Sequence, residues 1–207
     1  MLLDPDDSQL VLVDYQTRLM PAIFGGEQVL ANAVKLARLA QLMEVPVWGT
    51  AQNPDKLGPN TPEVHSAIEA ARGKVLSKMH FSAVPDGLAD WLRPPVRKVQ
   101  AGPNARSLPK HLQKPAAVEE PGRSTIVIAG CEAHVCLLQT ALDLLEQEFD
   151  VWVVTDACSS RTERNRDAAF DRLAGNGAEL VTTEMVAFEW LGSADHPAFR
   201  DVLGLVK

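Results

Sequence analysis

Three residues of this chain pair a reactive side chain with a position where a fold can leave it usable: Asp14, Lys78 and Cys136. Asp14 directly follows residues 10–13, a short apolar run of the kind that forms a strand buried on both faces. A carboxylate there is not needed for folding. It is either a loop or cap carboxylate, or a proton-transfer group whose pKa is raised by desolvation. Lys78 closes the segment around Val75 and Leu76. It is a surface charge, or, beside a carboxylate and a nucleophile, a partner for developing negative charge. Cys136 falls at the expected first turn of a helix, where the dipole and free N–H groups favour a thiolate. A buried structural cysteine is the alternative, and Cys131 and Cys158 fit that description better because neither sits at an expected helix start. Cys131 and Cys136 do not form a C-x-x-C, so a dithiol redox pair is not expected. His134 lies two residues from Cys136, a spacing at which helical side chains do not face each other. It is assigned to substrate contact or to packing.

These residues need elements to position them. The chain alternates strand-like and helix-like segments. Strands are predicted at 10–13, 45–50, 75–78, 125–129, 151–154 and 178–181. A helical stripe runs through Val29, Ala33, Leu36, Ala37 and Ala40, and Thr61-Pro62 marks another helix start. Further helices are predicted at 86–92, 135–147, 162–175 and 184–191, the last clear one. Residues 93–123, with Pro94, Pro95, Pro103, Pro109, Pro115 and Pro121, read as a long surface loop. The alternation implies an α/β fold, a three-layer α/β/α sandwich around a six-stranded, mostly parallel, doubly wound sheet, with residues 1–207 as one domain. Ligands in such sheets bind at the carboxyl ends of the strands, where Asp14, Lys78 and Cys136 fall.

The 207 residues are 46% hydrophobic and 23% charged, which excludes disordered, collagen-like and coiled-coil classes. No apolar run is long enough to span a bilayer, and the first residues lack the basic and apolar regions of a signal peptide. A net charge of -7 without a basic stripe argues against nucleic acid as a partner. Three cysteines cannot supply a disulfide framework, and they fit a reducing cytoplasm. A nucleotide-binding oxidoreductase would need a glycine-rich turn after the first strand, where this chain has Asp14-Tyr15-Gln16.

Asp14, Lys78 and Cys136, in that order on strands one, three and four, resemble the isochorismatase-like cysteine hydrolases, in their small single-domain branch. The likeness is most specific in Leu12-Val13-Asp14-Tyr15-Gln16, Lys78-Met79-His80-Phe81-Ser82 and residues 130–145, and it continues in Asp156-Ala157-Cys158-Ser159-Ser160-Arg161 and Thr182-Thr183-Glu184. The resemblance implies Asp14 as base, Lys78 as electrostatic partner and Cys136 as nucleophile. It also implies a cis peptide between Cys131 and Glu132, with the Glu132 and Cys136 N–H groups forming an oxyanion hole. Tyr15, Gln16, Phe81 and His134 are the expected pocket walls. Nicotinamidase-type relatives carry a metal site after strand two. Here residues 52–60 hold one carboxylate, Asp55, and no histidine, so neither metal nor other cofactor is expected. The expected function is metal-independent cleavage of a C–N bond, amide or carbamoyl, in a small molecule through a thioester. The alternatives are a catalytically silent scaffold that keeps the fold, or a vinyl-ether hydrolase of the isochorismate type. The family tends to self-associate, so a homo-oligomer is expected, with Trp190, Leu191 and Phe199 as an apolar contact surface or as core.

Overall fold

A computed structural model describes residues 2–93 and 122–207. The predicted 93–123 loop therefore lies almost wholly outside the described residues. The strands are β1 (Ser8–Val13), β2 (Val47–Gln52), β3 (Lys74–Lys78), β4 (Thr125–Gly130), β5 (Asp150–Val154) and β6 (Glu179–Val181). They form one sheet in the order β3-β2-β1-β4-β5-β6. Every pairing is parallel, where the sequence predicts a mostly parallel sheet. The central strands β1 and β4 are buried at every position, as a strand covered on both faces requires.

The helices are α1 (Gly26–Leu42), α2 (Pro54–Leu57), α3 (Pro62–Ala70), α4 (Leu88–Leu92), α5 (Leu138–Glu146), α6 (Glu163–Gly175), α7 (Thr183–Leu191) and α8 (Phe199–Val206). Helix α1 buries its Val29–Ala33–Leu36–Ala40 stripe and packs beside α3, α7 and α8. Helices α5 and α6 pack together, and the segment before α4 joins α5 through Ala83 N–H donating to Thr140 Oγ1 at 3.1 Å. Among the described residues no helix is long and apolar enough to cross a membrane.

Two local outcomes differ from the sequence reading. Helix α8 is not among the predicted elements. Gly192, Pro197 and Gly204 break its local signal, and it is stabilised by packing against α1 and α7. Thr61 precedes α3 as expected, yet its buried hydroxyl caps nothing. Of the two roles open to Trp190 and Leu191, contact surface or core, both take the core, with the Trp190 indole N–H donating to Ser8 Oγ at 3.1 Å.

The order of the strands reverses between β1 and β4, which lie side by side while the chain leaves them in opposite directions across the sheet. That reversal opens a crevice at the carboxyl ends of β1 and β4. Val13, the last residue of β1, is in register with both Thr50 of β2 and Gly130 of β4. Gln52, two residues beyond Thr50, is in register with Lys78 of β3. β2 and β3 thus end two residues beyond β1 and β4, at the same edge of the sheet.

Candidate active site

Asp14 follows β1 in the left-handed region, at φ 54°, a conformation aspartate tolerates better than most residues. The turn directs the carboxylate across the strand ends, where it is fully buried. Its Oδ1 accepts from the Thr50 hydroxyl at 2.6 Å. Its Oδ2 lies 2.8 Å from Lys78 Nζ. This pair crosses two strand spacings, about 10 Å of sheet, so the stem of Lys78 must run over β2 to make it. The structure leaves that stem buried.

An ammonium has three protons to donate, and those of Lys78 have three other acceptors. They are Gln52 Oε1 at 2.7 Å, Phe81 O at 2.9 Å and His80 O at 3.3 Å. Asp14 Oδ2, at 2.8 Å, is a fourth acceptor facing the same ammonium, closer than Phe81 O and His80 O, and among the described residues it has no other partner. A carboxylate oxygen has two lone pairs, so the ion pair leaves one free for the third residue of the group.

That residue is Cys136. It does not sit in the first turn of an α-helix, as expected, but in a π-type turn, Ala133–Leu137, ahead of α5. The wider turn is closed by Leu137 N–H on Glu132 O at 3.3 Å. The charges of both Asp14 and Lys78 act on the Cys136 thiol. Burial pushes the thiol up to about 12, the Asp14 carboxylate adds to the rise, and Lys78 opposes it without cancelling it. Desolvation of the sulfur anion therefore works against the thiolate expected at a helix end.

The bond between Cys131 and Glu132 is cis. Among the described residues, neither the Glu132 N–H nor the Cys136 N–H donates to any acceptor outside the Ala133–Leu137 turn. The Glu132 carboxylate is buried and gripped by Arg161. Its Oε2 accepts from the Arg161 amide at 3.0 Å and from Nε at 2.9 Å, while Oε1 accepts from a terminal guanidinium nitrogen. The Arg161 hydrogen bonds hold the Glu132 carboxyl below its ordinary range against the cost of burial.

The expected pocket walls divide. Tyr15 is fully buried and donates its hydroxyl to Ala157 O at 2.6 Å. Gln16 is buried too: its Nε2 donates to Gln52 O at 2.9 Å and Gly58 O at 2.6 Å, and its Oε1 accepts from Gln52 N–H at 2.9 Å. Both side chains have interior partners in place of an open face, which corrects the substrate contact expected of them. Phe81 is 54% exposed, with Met79 beside it at 65%. His134 is partly buried, with Nδ1 2.9 Å from Ser160 Oγ and Nε2 3.3 Å from the Asn165 amide nitrogen.

Thr50 and Gln52 escaped the sequence reading as site residues. Their two-residue spacing at a strand end puts both side chains on one face, but only the tertiary contacts show that this face holds Asp14 and Lys78. Cys131 and Cys158 are buried as expected, and burial pushes Cys131 up to about 12 and Cys158 well above its ordinary value. Among the described residues no three His, Cys, Asp or Glu side chains cluster with metal-binding geometry. A groove of about 740 Å³ between α1 and α3, lined by residues such as Leu30, Val34 and Ala67, belongs to the helical layer, away from the strand ends.

The family model described as an isochorismatase domain matches residues 8–99 and 114–185. Isochorismatase domain-containing protein 2 of Pongo abelii is 35% identical over 98% of this chain and 84% of its own length. Its mouse counterpart, isochorismatase domain-containing protein 2A, is 32% identical over the same shares. Among solved structures, the MAR1 ribonuclease of Caenorhabditis elegans is similar with a TM-score of 0.78 and 28% identity, covering 100% of this chain and 92% of the other. YcaC from Pseudomonas aeruginosa, solved with hexane-2,5-diol and covalent acrylamide, has a TM-score of 0.76 and 25% identity, covering 99% and 91%.

Proposed function

From the premise that this chain belongs to the isochorismatase family, which supports a hydrolase in general, we propose a cysteine hydrolase that cleaves a C–N bond of a small molecule without a metal. The observation that carries this reading is the buried Asp14–Lys78 ion pair, at 2.8 Å, whose two charges both act on the Cys136 thiol. A thiol pushed up to about 12 needs a base at the moment of attack, and Asp14 Oδ2 is that base.

In the first step Asp14 takes the thiol proton as Cys136 Sγ bonds to the substrate carbonyl carbon. The carbonyl oxygen becomes an oxyanion, and the Glu132 and Cys136 N–H groups, which among the described residues have no acceptor outside the Ala133–Leu137 turn, receive it. Collapse of the adduct breaks the C–N bond. The proton on Asp14 leaves with the amine, and a thioester remains on Cys136. Water then attacks the thioester, giving its proton to Asp14. The acid departs and the sulfur recovers a proton. Between steps the Lys78 charge balances that of Asp14.

The covalent acrylamide in the Pseudomonas aeruginosa relative accords with a nucleophilic site in this fold. A nuclease reading drawn from the worm relative finds no support in the net charge of -7. The test is a panel of small primary amides and carbamoyl compounds assayed for ammonia release, with and without a chelator. At least one compound should turn over, and chelation should leave the rate within about twofold, since residues 52–60 offer no ligand set. Loss of turnover on chelation would overturn the metal-independent reading. Silence across the panel, with Cys136 unreactive, would favour a scaffold.

Thiol labelling gives a second, substrate-free check. Iodoacetamide should modify Cys136 before Cys131 and Cys158, because of the three thiols only that of Cys136 feels the Lys78 charge.

A further inference from the structure

Lys78 Nζ, the ion-pair partner of Asp14 Oδ2 at 2.8 Å, is held by three further acceptors, and two of them, His80 O and Phe81 O, belong to the segment following β3. The third, Gln52 Oε1, is oriented by the same segment, since the Gln52 side-chain amide donates to Met79 O at 2.8 Å. The position of the charge beside the base thus depends on the backbone conformation of residues 79–81, outside the Asp14–Lys78–Cys136 group.

One carboxylate oxygen sets that conformation. Asp86 Oδ2 accepts from Met79 N–H at 3.2 Å and from His80 N–H at 3.0 Å, and lies 3.1 Å from His80 Nδ1. Two consecutive amides and a ring nitrogen converge on one atom six or seven residues away, which closes the segment into a loop with its carbonyls turned toward Lys78. The Asp86 side chain is 21% exposed, so these bonds are partly sheltered from water. Partial burial works against its charge, but the hydrogen bonds from His80 and Met79 prevail and hold the carboxyl below its ordinary range.

We propose that Asp86 is a positioning residue for the hydrolytic site: by closing the 79–81 loop it keeps His80 O, Phe81 O and Gln52 Oε1 on the Lys78 ammonium, and so fixes the charge that pairs with the Asp14 base beside the Cys136 thiol. The inference rests on the reading of Asp14 as the base. When the loop opens, two acceptors move away from Lys78, and the ammonium is no longer fixed at 2.8 Å from Asp14 Oδ2. The base and the thiol then lose the charge that aligns them. The charge of Asp86 is secondary to its acceptor oxygen, because an asparagine in the same rotamer offers Oδ1 to the same two amides.

Two measurements on the full chain test this without a substrate. Lysine side-chain NMR should show a slowly exchanging Lys78 ammonium in the wild type, with slow amide exchange at Met79 and His80. Asp86→Ala should lose the ammonium signal or shift it, and Asp86→Asn should restore it. Iodoacetamide labelling of Cys136 at pH 8 should slow about tenfold in Asp86→Ala, a partial loss of the general-base contribution of about 100-fold or more. In Asp86→Asn it should return to within about twofold of wild type. Asp14→Asn is the reference. If it does not slow labelling, the base assignment fails and the inference with it. If Asp14→Asn slows labelling and Asp86→Ala does not, the base stands and the inference is overturned. Equal loss in the alanine and asparagine variants also overturns it, by tracing the effect to charge. If Asp86→Ala does not fold, fast exchange at Met79 and His80 in the wild type remains the overturning result.

Discussion

Asp14→Asn should leave a folded, soluble protein whose turnover of a confirmed amide substrate has fallen at least 100-fold, toward the upper end of about 10,000-fold for general-base catalysis. The loss belongs at that end because the same oxygen serves two steps, attack by the thiol and attack by water on the thioester. The substitution is nearly isosteric. The amide oxygen can still accept from the Thr50 hydroxyl, but its nitrogen can take no proton from a thiol pushed up to about 12. Stability feels two opposed effects: a buried charge is removed, and Lys78 is left unpaired in the interior. Near-normal activity of the variant would reject the proposed group. Lys78→Met is the companion test. It should also cripple turnover, and it should slow Cys136 alkylation, because Lys78 is the influence that lowers this thiol's pKa.

The largest stability effect is expected at the end of β4. A Cβ added at Gly130 would meet the Val13 side chain at 2.5 Å and the Val13 backbone oxygen closer still. Both belong to the adjacent central strand, in direct register, and neither is the flexible end of a side chain. Overpacking of this kind costs about 1–3 kcal/mol, and occasionally more. Because backbone must move, Gly130→Ala should lose about 3 kcal/mol, read as a lowered urea midpoint with an unchanged slope. Gly175→Ala is the contrast. Nothing lies within 4 Å of its added Cβ, and at the last position of α6 the exchange should be neutral or gain up to about 1 kcal/mol. Equal midpoints for the two variants would show that β1 and β4 can separate cheaply. The Gly130→Ala protein should also label differently at Cys136, since Asp14 follows Val13 and the Cys136 turn follows Gly130.

Much of this molecule was legible before any coordinate. Six apolar segments with helical stretches between them imply the layered parallel sheet, because strands covered on both faces cannot alternate polar and apolar residues. The rule that ligands bind at strand ends then selects Asp14, Lys78 and the segment around Cys136 for scrutiny. Likewise the start of α3 follows from Thr61-Pro62, since proline at a first helical position is a local preference.

What escaped the sequence is non-local. Strand order is set by which faces bury best together, and only that order puts β2 between β1 and β3, so that Thr50 and Gln52 become partners of Asp14 and Lys78. Tyr15 and Gln16 looked like pocket walls because they adjoin Asp14. The left-handed turn at Asp14 instead sends them inward, to partners 142 and 36 residues away. The Cys136 thiol looked acidic from its place before a helix, a local electrostatic argument. Its charge state follows from desolvation by a core assembled from the whole chain, joined to the Asp14 charge, and neighbours in sequence carry no record of that. Periodicity and residue type report which face a side chain takes along its own segment. Which segments meet, and which polar atoms are left without a partner when they do, is decided by the packing of all of them at once.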